Sequence, residues 1–203
     1  MKKSIICAAI GLLGLSFGSA AIAQTMTKEA YKVAKTVTAN DYKAAKANCK
    51  LLKANAKDVC MAEAKGKENI ALAELARMNM PSQKTRYDVR MATAQAIYSV
   101  SNELCDEQAG NAKDVCVKTA KAVRVRARAD AKTELAVVDA SKAYLTSTVA
   151  EREQASKKVA EVRSDGAADK RTADYKVAVE KCDALAGAVK DQCVAEAKMR
   201  FGK

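Results

Sequence analysis

The sequence contains no histidine and no tryptophan, one proline and two phenylalanines among its 203 residues. Without histidine, neither the nucleophile–histidine pairs of hydrolases nor histidine-ligated metal centres can form. The chain also has no glycine-rich phosphate-binding loop and no Cys-x-x-Cys motif of thiol oxidoreductases. We therefore expect no catalytic residue, no cofactor site and no metal site, and we predict that the protein is not an enzyme.

Six of the seven cysteines belong to an internal repeat that occurs three times. Each copy has ten residues between its two cysteines, a Lys-Asp pair at the same place, and a tyrosine seven residues before the first cysteine. We expect these tyrosines, Tyr42, Tyr98 and Tyr175, to pack between helices. So dense a match, present three times, indicates repetition of one structural unit.

The repeated unit is predicted to be an αα-hairpin. Its flanks are rich in Ala, Lys, Glu and Val and favour helix. A continuous helix would hold Cys105 and Cys116 roughly 16 Å apart along its axis, whereas a disulfide requires Cα atoms about 5.5 Å apart. Gly110 suits the left-handed residue that closes a helix, and Asn111 suits the N-cap of the next helix. The chain is therefore expected to turn at Gly110 and Asn111.

The other two copies have less favourable turn residues. The first has Ala54-Asn55, which keeps the cap and loses the glycine. The third has Gly187-Ala188, which keeps the glycine and loses the cap. We expect both to turn slightly less well than the middle copy.

Residues 1–23 have the features of a cleaved signal peptide. Two lysines near the start are followed by a short apolar segment, Ile5 to Phe17, and by the small residues of Ala21-Ile-Ala23. Cys7 is lost with this segment. We predict an exported protein of the periplasm that begins at Gln24 and has no stable membrane span after cleavage.

The six remaining cysteines are predicted to form three local disulfides, because an even number in an exported chain indicates a disulfide framework. Six cysteines allow 15 connectivities. The repeat and the hairpin argument select Cys49–Cys60, Cys105–Cys116 and Cys182–Cys193. A metal site is the alternative, and it is disfavoured because histidine and closely spaced cysteines are missing.

These observations predict an all-α fold, an elongated set of three disulfide-stapled αα-hairpins after a cleaved signal peptide. The helix after Cys116 is unusually long, and two breaks in it are open: one near Asp139–Ser141 and one at Ser164-Asp-Gly166. With the second break, the hairpins span residues 24–79, 80–163 and 164–203.

The net charge of +12, which becomes +10 without Lys2 and Lys3, favours anionic partners such as lipid headgroups or envelope polymers. A solvated surface of interspersed lysines and acids is the commoner alternative. Arg124, Arg126 and Arg128 form a basic cluster that contains no aromatic residue. Nucleobase stacking is therefore not supported, and we expect no sequence-specific nucleic-acid binding.

The segment Gly-Asn-Ala-Lys-Asp-Val-Cys at residues 110–116 resembles a group of exported bacterial Ala/Lys-rich helical repeat proteins, which are often labelled TolA-like cell-envelope biogenesis proteins. This resemblance implies a non-enzymatic structural or interaction role in the periplasm, with envelope proteins or anionic envelope components as partners. It transfers no functional residue to this chain. A salt-sensitive binder of anionic envelope polymers or lipids and a holdase-type chaperone are the alternatives. The particular partner and the oligomeric state stay open.

Overall fold

The computed structural model describes residues 26–203, and all regular elements in that range are helices. The predicted all-α fold with disulfide-linked helix pairs is confirmed. The signal-peptide prediction for residues 1–23 lies outside the described residues. The helices are α1 (Lys28–Cys49), α2 (Ala54–Asn79), α3 (Gln83–Leu104), α4 (Gly110–Thr146), α5 (Val149–Cys182) and α6 (Gly187–Phe201), with a short 3₁₀ turn at Cys105–Glu107 after α3.

Each helix packs mainly against the helices that precede and follow it in the chain. Short connections between neighbouring helices make them antiparallel. The α1–α2, α3–α4 and α5–α6 turns therefore lie at one end of the structure, the disulfide end. The α2–α3 and α4–α5 turns lie at the opposite end.

Small side chains fill the interfaces between these helices. The most buried apolar residues are three cysteines, seven alanines and one leucine: Cys49, Ala64, Leu75, Ala94, Cys105, Ala120, Ala122, Ala129, Ala131, Cys182 and Ala197. A buried leucine contributes roughly 1.5–3 kcal/mol and alanine much less. The interfaces are consequently thin, and the disulfides carry a large share of the constraint between paired helices.

Two glycines lie inside helices at points where a neighbouring helix approaches closely. A Cβ atom added to Gly66 of α2 would lie 2.8 Å from the Cβ of Ala96 in α3. A Cβ atom added to Gly166 of α5 would lie 3.4 Å from the Cβ of Ala129 in α4. Both glycines are buried. Each marks a close contact between one hairpin and the next.

The predicted break at Ser164-Asp-Gly166 is wrong, because these residues lie within α5. The break falls instead at Ser147–Thr148, a few residues after the alternative position near Ser141. Packing of Gly166 against α4 outweighs the low helix propensity of glycine. The third hairpin therefore begins with α5 at Val149. The boundary between the second and third hairpins lies at Ser147–Thr148, and the predicted boundary between residues 80–163 and 164–203 is wrong.

The middle part of the chain extends beyond the rest at the opposite end. From Cys116, α4 continues for 30 residues to Thr146, whereas α2 continues for 19 residues from Cys60 to Asn79. The difference of 11 residues corresponds to about three helical turns, or roughly 16 Å. The same holds for α5 compared with α3. Counted back from Cys182 and Cys105 respectively, α5 begins 11 residues earlier than α3. The two extensions match, so the α4–α5 turn forms a projecting tip.

Ion pairs between helices agree with this register, although each is partly exposed and contributes no more than about 1 kcal/mol. The pair between α3 and α4 is Arg90–Glu134 at 2.6 Å. The pairs between α4 and α5 are Lys118–Glu180 at 3.4 Å, Arg126–Asp174 and Asp130–Lys170.

The two helical glycines are expected to respond in opposite ways to alanine. Gly166→Ala should stabilise the protein by up to about 1 kcal/mol, because alanine is the better helix former and its Cβ fits. Gly66→Ala should destabilise it by about 1 kcal/mol, since overpacking costs roughly 1–3 kcal/mol and exceeds that gain. Urea unfolding of the oxidised protein measures both, and shifts of the same sign would contradict the contact geometry.

The first turn of α5 has a pH-dependent cap. Glu151 accepts hydrogen bonds from the backbone N–H of Thr148 at 2.7 Å and from its hydroxyl at 2.9 Å. These bonds stabilise the carboxylate and lower the pKa of Glu151 below its ordinary value of 4.5. Since the folded-state pKa is the lower one, the stabilisation is complete above about pH 4.5 and is lost as the pH falls through the folded pKa.

A carboxyl ¹³C titration should therefore place the midpoint of Glu151 below 4.5. In Thr148→Ala the hydroxyl bond is absent and the backbone bond remains, so the midpoint should rise part of the way. A wild-type midpoint at or above 4.5 would show that this cap does not form in solution.

Candidate functional site

The six predicted cysteines form three disulfides at the disulfide end. They are Cys49–Cys60, Cys105–Cys116 and Cys182–Cys193, with Cα–Cα distances of 5.5, 5.6 and 5.7 Å. The first cysteine of every pair is almost completely buried. The second cysteine is half-buried. The bonds therefore link α1 to α2, α3 to α4 and α5 to α6 from within each hairpin.

The three turns share one left-handed residue. Ala54, Gly110 and Gly187 have φ angles of 47°, 56° and 56°. This residue opens the second helix of the hairpin, following an extended residue such as Ala109 (φ −130°, ψ 158°). The left-handed conformation of Gly110 agrees with the sequence, but its expected place at the end of the first helix is wrong. The 3₁₀ turn intervenes and ends that helix earlier.

Asn111 does not cap α4, contrary to the sequence-based expectation. Its side-chain nitrogen donates a hydrogen bond of 2.7 Å to the backbone carbonyl of Glu180 in α5. It thereby ties the middle hairpin to the third. Asn55 holds the corresponding position in α2, and its side-chain nitrogen is buried without a hydrogen-bond partner among the described residues. The third copy has Ala188 at this position.

Two of the turns carry an ion pair that the sequence repeat did not reveal. Lys113 contacts Asp106 at 3.0 Å, and Lys190 contacts Asp183 at 2.9 Å. The first copy has Lys50 where the others have aspartate. The first turn therefore lacks this pair and also exposes Leu51, whose exposed fraction is 81%.

The repeated tyrosines are half-buried beside the second helix of their hairpins. The guanidinium of Arg124 stacks 3.8 Å from the ring centre of Tyr98. The ring of Tyr175 contacts that of Phe201 edge-on, with centres 6.3 Å apart. The tyrosines thus pack between helices, as the sequence pattern indicated.

A row of basic residues lies on α4 and faces away from α5. Lys121, Arg124 and Arg128 are spaced three and four positions apart and share one side of the helix. None of the three has an acid within ion-pair distance in residues 26–203, whereas Lys118 and Arg126 are paired with α5. The arginine cluster of the sequence is therefore divided between two sides of α4.

An apolar face covers parts of α2, α3 and α4, and it was not predicted from the sequence. One shallow groove between α2 and α3 is lined by Ile70, Ile97 and Val100, and a second between α3 and α4 is lined by Val115 and Val123. Both grooves include Ser101, so they adjoin. Ile97 and Val123 have exposed fractions of 50% and 42%. The spacing of Ile97, Val100 and Leu104 along one side of α3 was the available signal.

In the part of the chain that the structure describes, no cluster of three or more metal-ligating side chains occurs. Among those residues, no helix combines the length and apolarity needed to cross a membrane. No protein-family model, curated protein or solved structure matches the chain. The disulfide turns, the basic row and the apolar face are therefore the features on which a function can be based.

The left-handed turn residues should respond oppositely to exchange of glycine and alanine. Gly110→Ala is expected to cost roughly 1–2 kcal/mol, because alanine in this conformation brings its Cβ too close to the carbonyl oxygen. No other atom lies within 4 Å of the added Cβ, so backbone strain is the only cause. Ala54→Gly should stabilise the first hairpin by up to about 1 kcal/mol for the same reason. Urea unfolding measures both, and a neutral Gly110→Ala would refute the turn conformation.

Removal of the middle disulfide by Cys105→Ala with Cys116→Ala should cost roughly 3 kcal/mol in the chain-entropy model for a loop of about a dozen residues. Far-UV circular dichroism should change little, because Ala, Lys and Glu favour helix locally. Urea unfolding measures the loss, and non-reducing peptide maps should show the other two pairs intact. A bond from Cys49 or Cys182 to another hairpin would contradict the local pairing.

Proposed function

We propose that the protein is a non-catalytic structural or interaction protein of the cell envelope, exported into the oxidising periplasm, where its helical faces contact envelope proteins. The supporting observation is the apolar face around Ile97 and Val123, which extends across three helices and is covered by no described segment. Exposed apolar patches on soluble domains mark interaction sites.

The construction of the fold supports the same proposal. Helices that pack mainly on their chain neighbours leave both sides of the structure open. The three disulfides hold the helix pairs in place where small side chains give little burial energy. Disulfides persist in oxidising compartments, which is consistent with export.

Export has a direct test in the mass of the protein recovered from the periplasm. The intact mass should correspond to a chain that begins at Gln24, and alkylation without reduction should add no label. Retention of residues 1–23, or reactive thiols in freshly prepared material, would contradict the proposed location.

The interaction role is tested by a matched pair of variants. Ile97→Glu places a charge on the apolar face, and Met199→Glu places the same charge on α6, where the methionine is also exposed, with an exposed fraction of 76%. Cross-linking in intact cells should recover an envelope protein with the wild type and with Met199→Glu, and lose it with Ile97→Glu. Equal recovery by the two variants would rule out this face.

The basic row on α4 favours a second candidate function, the binding of anionic envelope polymers. Lys121 and Arg128 are exposed and have no described acidic partner, so they are available to phosphate or carboxylate groups. Arg124, between them, stacks on Tyr98. Binding driven by release of counterions falls steeply with added salt. Lys121→Gln with Arg128→Gln should reduce co-sedimentation with lipopolysaccharide at low salt. The control Lys118→Gln with Arg126→Gln removes two charges that are paired with α5, and it should reduce co-sedimentation less. Equal reductions by the two double variants would show that only the net charge of the protein matters.

A further inference from the structure

A groove of about 530 Å³ lies where α3 begins beside the extended parts of α4 and α5. It lies where α4 and α5 continue beyond α3, and the first part of α3 supplies one of its walls. Its walls include Tyr87 of α3, Leu135 and Ala136 of α4, and Ala155 and Val162 of α5. Its volume falls within the roughly 300–1,000 Å³ of typical ligand sites, which combine apolar walls with a few polar groups.

Three lysines from three different helices line this apolar groove: Lys84, Lys132 and Lys158. Lys84 is held by Asp88 and Lys158 by Glu161, in pairs on the surface of their own helices. Such exposed pairs contribute no more than about 1 kcal/mol each. Lys132 forms no ion pair with any residue between 26 and 203.

The distribution of charge gives the groove a direction. Asp139 is the single acid in its wall, and it lies seven residues after Lys132, about 10 Å further along α4 towards the tip. Arg128 lies one turn before Lys132 on the same side of the helix. Lys84 and Lys158 are each neutralised by an acid of their own helix, whereas Lys132 and Arg128 have no acidic partner among residues 26–203. The uncompensated positive charge of the groove therefore lies at the Lys132 end, and the apolar walls extend from there towards Asp139.

We propose that this groove binds a single-chain anionic amphiphile, with the aliphatic chain along Leu135, Ala155 and Val162 and the anionic head group at Lys132. Charge complementarity selects this occupant, because a cationic or uncharged chain makes the same apolar contacts and gains nothing from the lysines. Binding at this groove depends on neither of the functions above, and it is measured with purified oxidised protein.

The test is a titration of isotope-labelled protein with sodium dodecanoate below its micelle concentration, followed by NMR. We expect shifts in the Leu135 and Val162 methyl groups and in the Tyr87 ring. Decanoate should bind more weakly, by up to about fourfold for each methylene lost from a fully buried chain. Dodecyltrimethylammonium, which has the same chain and the opposite charge, should bind at least tenfold more weakly.

Two variants address the charge and the apolar wall separately. Lys132→Glu changes an exposed residue and should weaken dodecanoate at least fivefold. Lys67→Glu makes the same charge change on α2, outside the groove, and should leave the affinity within twofold. Ala155→Glu places a carboxylate in the apolar wall and should abolish binding, with circular dichroism confirming the fold.

A second titration, with dodecanoyl lysophosphatidylglycerol, distinguishes a phosphate-bearing lipid from a free fatty acid as the ligand. Tighter binding than dodecanoate assigns the groove to a phosphate-bearing lipid, and weaker binding assigns it to a free fatty acid. Equal affinities for cationic and anionic chains, an unaffected Lys132→Glu, or shifts confined to Ile97 and Leu104 would overturn the proposal. Ile97→Glu should retain dodecanoate binding, so this proposal and the interaction role can fail independently.

Discussion

The ten residues between paired cysteines are the constraint on which the rest of the structure depends. A helix through such a segment keeps its cysteines far apart, so a disulfide forms only when the chain reverses direction. Reversal three times places three staples at one end and makes neighbouring helices antiparallel. The staples also allow the interfaces to consist of alanine and glycine, because covalent closure replaces part of the burial energy that larger side chains supply elsewhere.

Thin interfaces have consequences for the surface. Helices that approach closely at Gly66 and Gly166 bury their small residues and leave their larger ones at the edges of the contact. Apolar side chains such as Ile97 and Val123 are therefore partly exposed, and they form a face instead of a core. The same arrangement divides the basic residues of α4: Lys118 and Arg126 pair with α5, Arg124 stacks on Tyr98 of α3, and Lys121 and Arg128 are exposed without a described acidic partner.

The unequal spacing of the cysteine pairs produces the other distinctive feature. From Cys49 to Cys105 the chain advances 56 positions, and from Cys105 to Cys182 it advances 77. The additional residues are shared equally between α4 and α5, in close to whole helical turns, so the packed sides of both helices keep their orientation. The result is a projecting tip and, beside it, a lysine-lined groove whose third wall is the first part of the shorter α3.

The sequence alone determined the helical class, the repeat and the pairing of Cys49, Cys105 and Cys182 with their local partners, because these depend on composition and on spacing within one hairpin. It did not determine the end of α4, the role of Asn111 or the place of Gly166 within α5. Those features depend on contacts between hairpins: a carbonyl of α5 that accepts a hydrogen bond from the Asn111 amide, and the packing of Gly166 against Ala129 of α4. Local propensity predicts a helix break at Gly166 and a helix cap at Asn111. Only tertiary packing, which joins residues distant in the chain, places Gly166 inside α5 and directs the Asn111 side chain to α5.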